Sequence, residues 1–498
     1  MERSSGILMP VFSLPSPGGI GTLGGAARRF ADFLASAGQR WWQMLPLGPT
    51  GYGDSPYQSF SSFAGNPYLI DPEDLITQGL LKPEEFHSAG CGGDAGYVDY
   101  ARLYQNRGAI LRPAAARVQE WFGRELEQFC SEQAFWLDDY ALFMALKDRF
   151  GGAAWQEWPE PLRNRRPEAL HRARRELSGE IGCCSAVQFL FFRQFAALRA
   201  YARSRGIGLI GDMPIYASAD SADVWSAQEL FCLDTDGRPS LCAGVPPDYF
   251  SADGQLWGNP IYRWDRMARE KDAWWQQRVQ AAAKLYDVLR LDHFRGFSQY
   301  WAVPGGAETA RDGAWCKGPG MHLLRKLRKA GGGMAFLAED LGILTPAVER
   351  LRRRAGWPGM KVLEFAFDPS GDSKYLPHRL TDEDVCYTGT HDNPPLPLWC
   401  GTISGAEDAF ARKYLRLGPE ESLPEAILRA GMESRARVFL SQLPDWLDPE
   451  EAGRINTPGT CGGNWCWRVK QSALNDALCQ KILALTCASD RRNTTKYG

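Results

Sequence analysis

One pattern recurs along the chain, most often in its second half: an amphipathic helix, then glycine, then a short apolar strand. Residues 186–204 have a helical apolar face, and Gly206 separates them from the apolar run 207–213. The same order returns at 320–330, where three glycines precede the run 334–339. Because parallel strands are joined by crossovers that are usually helices, this repeat predicts a parallel sheet covered by helices.

Eight strands of this kind can be placed along the chain, at 6–12, 41–47, 207–213, 288–293, 334–339, 361–367, 385–390 and 437–443. Eight parallel strands with intervening helices favour a closed (β/α)₈ barrel over an open sheet. Such barrels have about 250 residues and grow beyond about 400 with insertions. The sequence therefore predicts an α/β protein in which residues 1–498 form a single barrel domain.

Two long stretches interrupt the repeat. Residues 53–185, between the second and third strands, are predicted to be mostly helical, because apolar residues recur on one helical face over 131–150. Residues 214–265, after the third strand, are rich in Gly, Pro, Asp and aromatic residues and are predicted to be a loop-rich insertion. Both follow the carboxyl end of a strand, where the loops of barrels build active sites.

The charge pattern excludes some classes of partner. Lys and Arg number 57 against 59 Asp and Glu, a formal net charge of −2, with both signs spread along the chain. Since nucleic-acid-binding domains carry a basic stripe, no nucleic-acid partner is predicted, and a neutral substrate is favoured. No apolar run reaches the roughly 18 residues of a membrane span, so no membrane partner is predicted either.

The cellular location is predicted from the first residues and from the cysteines. Residues 1–10 lack the charged start and the apolar stretch of a signal peptide. The 13 cysteines show no paired spacing and are interpreted as reduced thiols. A cytoplasmic protein is therefore expected.

The fourth predicted strand carries the first candidate catalytic residues. Because side chains alternate along a strand, Leu289 and Leu291 share one face while Arg290 and Asp292 share the other. In a barrel the leucines would face the helices and the charges would point inward. Arginine beside a carboxylate favours its ionised form, which a glycosidic nucleophile requires. A buried structural ion pair is the alternative interpretation of the same two residues.

Two further carboxylates end predicted strands. Glu339 lies at the end of the fifth strand, and Asp392 follows His391 at the end of the seventh. Taken alone, either segment could be a helix cap or a turn. At the carboxyl ends of strands four, five and seven, however, three carboxylates would converge over the barrel mouth. Two suffice for retaining glycoside cleavage, one as nucleophile and one as general acid, and a third can stabilise the positively charged transition state.

Several motifs together resemble glycoside hydrolase family 77, the 4-α-glucanotransferases (amylomaltases or disproportionating enzymes) of the α-amylase clan. The resemblance covers nearly the whole chain. Besides the segments around the three carboxylates, the motifs are SPYQS at 55–59 with AGNPY at 64–68, GDMPIY at 211–216, GVPPDYF at 244–250 with WGNP at 257–260, and NTPGT at 456–460 with GNW at 463–465.

The resemblance implies an enzyme that cleaves an α-1,4-glucan, holds the fragment covalently, and passes it to the 4-hydroxyl of glucose or another glucan. Matched to the family motifs, Asp292 is the nucleophile, Glu339 the acid/base and Asp392 the transition-state stabiliser. The implied substrate-binding residues are Tyr57, Asp212, Tyr249, Trp257, Arg290, His391 and Asn464. Tyr249 and Trp257 are candidates for stacking on glucan rings, and packing within their own loop is the alternative.

The implied partners are maltooligosaccharides, amylose or starch-like glucans as donors, with glucose as an acceptor, and a monomer or weak homo-oligomer is expected. No metal or organic cofactor is predicted, because carboxylates supply the chemistry and the 6 histidines form no HExxH motif. Segment 439–447 departs from the family pattern, since Gln442 is not followed directly by aspartate.

Two alternative functions remain at this point. An α-amylase-like hydrolase would use the same three carboxylates, and only the 244–260 segment, which could exclude water or hold an acceptor, argues for transfer. A non-catalytic glucan-binding protein is the other alternative, and the intact carboxylates Asp292, Glu339 and Asp392 argue against it.

Overall fold

Eight parallel strands close into a barrel in the computed structural model, which describes residues 2–247, 251–342, 344–418 and 420–493. The strands in chain order are β1 (Ser4–Leu8), β2 (Trp41–Gln43), β3 (Gly208–Met213), β4 (Leu241–Val245), β5 (Gln255–Pro260), β6 (Val288–Leu291), β7 (Gln299–Pro304), β8 (Ala314–Lys317), β9 (Ala335–Ala338), β10 (Gly359–Val362), β11 (Asp384–Tyr387) and β12 (Val438–Gln442). The barrel follows the order β1-β2-β3-β6-β9-β10-β11-β12, and β12 pairs with β1. The predicted (β/α)₈ fold is confirmed.

The eight predicted strands coincide with the eight barrel strands, but several extend too far at the carboxyl end. The predicted strand 41–47 ends at Gln43, and the predicted strand 361–367 is shifted to Gly359–Val362. Met44 and Leu45 remain almost fully buried beyond β2. Burial therefore continues after the strand hydrogen bonds stop, and an apolar pattern alone does not mark where a strand ends.

Helices surround the barrel and fill the longer connections. They are α1 (Gly25–Ser36), α2 (Pro72–Thr77), α3 (Pro83–Ser88), α4 (Tyr100–Asn106), α5 (Gly108–Trp121), α6 (Gly123–Arg149), α7 (Glu160–Arg163), α8 (Pro167–Glu176), α9 (Ser178–Ser204), α10 (Ala222–Ser226), α11 (Trp264–Arg269), α12 (Ala273–Leu285), α13 (Gly320–Ala330), α14 (Pro346–Ala355), α15 (Leu396–Trp399), α16 (Gly405–Leu415), α17 (Leu423–Glu433) and α18 (Asp476–Ala488). Helix α14 illustrates the local rules, with proline at its first position and Gly356 ending it at φ 64°.

The connection between β2 and β3 contains helices α2 to α9. The predicted insertion boundary at residue 185 falls inside α9, which crosses from the insertion onto the barrel and ends just before β3. Among the described residues α9 is the one helix long and apolar enough to span a bilayer. Phe191, Phe195 and Leu198 are buried in the hydrophobic core, which identifies α9 as a core helix of the fold.

The predicted loop-rich insertion 214–265 contains regular structure that the sequence did not indicate. Strands β4 and β5 lie within it and pair antiparallel, and β4 also pairs with β7, which follows the fourth barrel strand. Strand β8 completes a four-stranded sheet in the order β5-β4-β7-β8. These strands pair across two separate connections, so no local alternation over one segment reveals the sheet.

Two apolar layers hold the barrel. Alternate residues of the strands, including Ile210, Val288 and Leu440, fill its interior, whereas Leu289 and Leu291 pack outward in the layer shared with the helices. This alternation turns Arg290 into the barrel, as the sequence predicts.

Candidate active site

The three predicted catalytic carboxylates lie at the carboxyl ends of barrel strands. Asp292 directly follows β6 and donates its N–H to Met213 of β3, at 3.0 Å. Glu339 directly follows β9 and donates its N–H to Leu291 of β6, also at 3.0 Å. These bonds extend the ladders by one residue, so both carboxylates reach the same mouth of the barrel. Asp392 lies in the turn after β11, and its side chain is 46% exposed, against 28% for Asp292.

Arg290 connects the barrel interior to this mouth. Its Nη1 lies 2.7 and 2.6 Å from the two carboxylate oxygens of Asp212 and 3.1 Å from Oδ1 of Asp292. The side chains of Arg290 and Asp212 are 4% and 0% exposed, so water screens this cluster weakly. The sequence placed Arg290 beside Asp292, and the structure adds that one guanidinium is shared by two carboxylates.

An aromatic cluster forms one wall of the mouth. Tyr57 donates its hydroxyl to Asp212 at 2.8 Å, and its ring stacks on His391 with centroids 4.9 Å apart. The centroid of the Trp465 ring lies 5.8 Å from that of Tyr57 and 5.7 Å from that of His391. His391 Nε2 is 3.3 Å from Oδ1 of Asp392. Residues from three distant chain segments thus form one aromatic cluster, which contacts Asp212 through Tyr57 and Asp392 through His391.

The groups that hold Glu339 were missed from the sequence. Its Oε2 accepts the backbone N–H of His293 at 2.7 Å, and its Oε1 accepts that of Leu341 at 2.8 Å. His293 adopts φ 47°, a left-handed conformation uncommon outside glycine. This conformation belongs to the chain reversal after β6, which brings the N–H of His293 to the next strand. A backbone donor has no sequence signal, because every residue except proline carries one.

Asp392 also has partners to which the sequence analysis gave no role. Asn456 donates its amide to Oδ1 at 2.6 Å, and Arg454 donates to the main-chain oxygen of Asp392 at 2.7 Å. Asn456 begins the NTPGT motif, so a signal existed, but sequence distance hid its partner. The C-terminal segment therefore completes the site.

Burial and charge set the protonation of the carboxylates. Burial raises the pKa of Asp292 above its ordinary value, Arg290 opposes this, and the charges of Asp212, Glu339 and Asp392 raise it further. Burial likewise raises the pKa of Glu339, while Arg290 and the two backbone donors oppose the increase. Because burial and neighbouring negative charge penalise ionisation of both carboxyls, these surroundings favour a state in which one keeps a proton while the other is ionised. Such a pair supplies one acid and one anion.

The remaining predicted residues differ in their placement. Trp257 lies on β5, and its ring meets that of His293 edge-on with centroids 4.8 Å apart, which places it beside the residue after Asp292. Asn464 bonds within its own loop, accepting from the N–H of Thr457 and donating to Thr460. Tyr249 lies outside the described residues. The described part of the chain contains no group of three or more His, Cys, Asp and Glu residues that could hold a metal.

Comparisons with known proteins identify the family of this chain. A family model described as 4-alpha-glucanotransferase matches residues 9–474. The chain is 46% identical to a 4-alpha-glucanotransferase of Thermus thermophilus, over 99% of each chain. It is 42% identical to one of Streptococcus pneumoniae, over 99% of this chain and 98% of the relative.

A solved structure is similar over the same extent. The amylomaltase of Streptococcus agalactiae, solved in complex with acarbose, superposes with a TM-score of 0.96 at 41% identity, covering 99% of this chain and 100% of that one. Sequence family, relatives and three-dimensional structure agree over essentially the full length. The chain belongs to the 4-α-glucanotransferase family.

Proposed function

We propose that this 4-α-glucanotransferase works by a retaining double displacement in which Asp292 is the nucleophile and Glu339 the acid/base. The Asp292 carboxylate attacks the anomeric carbon, the glycosidic C–O bond breaks, and the proton of Glu339 passes to the leaving oxygen. The acceptor 4-hydroxyl then gives its proton to Glu339 and attacks the anomeric carbon, which releases Asp292. Two inversions leave the α-configuration unchanged.

The observation that carries this proposal is the unequal surroundings of the two carboxyls. Asp292 is 3.1 Å from the Arg290 guanidinium, which favours its anionic form. Glu339 has no direct ion pair among the described residues, and the neutral N–H groups of His293 and Leu341 stabilise its anion less than a guanidinium would. We therefore assign the shared proton to Glu339 in the resting enzyme, as the first step requires.

Asp392 is proposed to stabilise the oxocarbenium-like transition state. It lies at the open mouth, held by Asn456 and His391, where a fixed negative charge faces the sugar ring. Tyr57, Asp212, Arg290 and His391 form a connected wall suited to hold sugar hydroxyls. Trp257 is proposed to stack on a glucan ring, whereas the bonds of Asn464 support a role in shaping its loop.

The proposed partners are maltooligosaccharides, amylose or starch-like glucans as donors, with glucose among the acceptors. The related amylomaltase complex supports acarbose as a ligand of this site as well. We further propose one catalytic domain, a monomer or weak homo-oligomer, and a cytoplasmic location without nucleic-acid or membrane partners.

Incubation with maltotriose tests transfer against hydrolysis. We expect free glucose and longer maltooligosaccharides to accumulate together, while the total number of reducing ends stays constant, because each transfer makes one glycosidic bond for each one broken. Glucose is measured with an enzymatic assay and reducing ends with a colorimetric one. Reducing ends that increase in step with bond cleavage would mean hydrolysis, and the α-amylase-like alternative would replace transfer.

A further inference from the structure

Buried polar side chains lie directly beneath the turn 388–393, which carries Asp392. Glu364 follows β10, and Gln442 and Asp445 lie at and just after the end of β12. They are 8%, 0% and 2% exposed. None of them belongs to the proposed catalytic set.

Asp445 binds the first residue of this turn and a residue just beyond its end. Its carboxylate accepts the hydroxyl of Thr388, the N–H of Leu396 at 2.9 Å and the N–H of Gln442 at 2.8 Å. With three donors, Asp445 is well satisfied.

Glu364 is connected to the middle of the turn through the side chain of Asn393. Its carboxyl is hydrogen-bonded by the side chain of Asn393. The Oδ1 atom of Asn393 accepts both the N–H and the hydroxyl of Thr390, each at 2.9 Å. A chain of hydrogen bonds therefore runs from Glu364 to the residues just before Asp392.

One carboxyl oxygen of Glu364 and the side-chain amide of Gln442 are buried without hydrogen-bond partners among the described residues. Within the described part of the chain, Oε1 of Glu364 has no hydrogen-bond partner, and neither do the Nε2 and Oε1 of the fully buried Gln442. A methyl group on Gly389 would lie 2.5 Å from Glu364 Oε1 and 3.2 Å from Gln442 Nε2. The glycine thus leaves a small space where carboxyl and amide can meet, and buried polar groups of this kind normally pair.

The charges around Glu364 decide the form in which it pairs. The negative charge of Asp445 disfavours ionisation of Glu364, and the positive charge of Arg454 favours it. The Cys400 thiol is also near. Burial, and then Asp445, raise the pKa of Glu364 well above its ordinary value. An uncharged carboxyl can donate to the amide oxygen of Gln442 while it accepts from Asn393.

We propose that Glu364 is a positioning residue of the transferase: an uncharged carboxyl that joins Gln442 to Asn393 and so fixes the turn that carries His391 and Asp392. The inference rests on the proposed function, because the turn matters to catalysis through Asp392. Glu364 itself touches neither of the reacting carboxylates Asp292 and Glu339.

Kinetics of Glu364→Gln and Glu364→Ala test the proposal. The amide is an uncharged isostere, so Glu364→Gln should keep at least about half of the wild-type kcat. Glu364→Ala should lower kcat about 10- to 100-fold, the scale expected when a reacting group is misplaced by up to an ångström. Asn393→Ala should lower kcat similarly, and the double variant should lose little more, because both act on one turn. Leu34→Ala, buried in α1, is the control for lost stability and should keep its kcat.

Thermal unfolding tests the uncharged state without using activity. An ordinary Glu has a pKa of about 4.3 in the unfolded chain. Between that pH and the raised folded pKa, the folded state holds the extra proton, so stability falls as pH rises, by up to about tenfold in the unfolding equilibrium constant per pH unit. The thermal unfolding midpoint of Glu364→Gln should therefore increase relative to that of the wild type as pH rises above about 5. The midpoint of the exposed control Glu127→Gln, in α6, should show no such relative increase.

Three results would overturn the proposal: a wild-type kcat in Glu364→Ala, an equal loss in Glu364→Gln and Glu364→Ala, or a midpoint difference for Glu364→Gln that does not change with pH. Full activity of Asp392→Asn would instead refute the proposed role of Asp392. The pH dependence of unfolding would still report on Glu364 in that case, so the two failures are distinguishable.

Discussion

At the scale of single residues, the proposed chemistry depends on how one guanidinium divides its charge between two carboxylates. Arg290 bonds both oxygens of Asp212 and only one of Asp292, so Asp212 is the more completely neutralised carboxylate. Asp292 keeps a partly exposed side chain at the mouth, as an attacking group needs. The alternative of a purely structural ion pair fits Arg290 and Asp212 better than Arg290 and Asp292.

Chemical rescue tests Asp292 as the nucleophile. Asp292→Ala should lose at least about 10⁴-fold in kcat on maltotriose, since no covalent intermediate forms. With α-maltosyl fluoride as donor, added azide should occupy the vacated position, form the C–N bond as fluoride leaves, and give the β-configured azide. The matched variant Glu339→Ala should give the α-azide, because there azide attacks the intermediate on Asp292. An α-azide from Asp292→Ala would refute the assignment; products are identified by NMR.

The pH dependence of kcat/KM tests where the shared proton lies. The active form holds one proton on the pair, so activity should fall below the lower pKa as Asp292 is protonated and above the upper pKa as Glu339 loses its proton. Because burial raises both pKa values, both limbs should lie at higher pH than for exposed carboxyls. With α-maltosyl fluoride the alkaline limb should disappear, since fluoride leaves without an acid. An identical alkaline limb with maltotriose and with the fluoride would contradict the assignment of the proton to Glu339.

At the scale of elements, strand positions followed from local patterns, but strand pairing in the insertions did not. Strand β12 lies at Val438–Gln442, within one residue of its predicted start, although this segment departs from the family pattern. Strands β4 and β5 were interpreted as loop, because glycine and proline suppress the alternation that marks a strand. Strand β5 pairs with β4, and β4 pairs with β7, and this sheet places Trp257 beside His293.

Trp257→Ala tests the function of this small sheet. Loss of the ring removes a contact to the sugar acceptor, whereas water needs no such contact to attack. The ratio of transfer to hydrolysis should therefore fall about two- to tenfold, as expected for one aromatic contact of about 0.5–1.5 kcal/mol. The ratio is measured from glucose and reducing ends after incubation with maltotriose. Trp121→Ala, which removes an exposed ring from α5, is the control and should leave it unchanged. An unchanged ratio in Trp257→Ala as well would make this ring a packing residue.

At the scale of the whole molecule, closure of the barrel creates the site. Tyr57, Asp212, Asp292, Asp392 and Asn456 come from segments spread over some 400 residues, yet hydrogen bonds and ion pairs connect them. Asp212 lies near the carboxyl end of β3 and the others follow different strands, and parallel strands present all their carboxyl ends at one mouth. Three carboxylates at predicted strand ends could therefore be placed together before any contact between them was known.

The sequence by itself determined the eight strands, the inward direction of Arg290 and the three carboxylates at the mouth, because alternation along strands and helical periodicity are local properties. Only the tertiary structure decided that Arg290 is shared with Asp212, that the N–H of His293 holds Glu339, and that Asn456 holds Asp392. The same is true of Glu364 and Gln442 beneath the turn and of their link to it through Asn393. These contacts join residues far apart in the chain or use backbone groups common to all residues, so their partners are fixed only when the barrel closes and water is excluded.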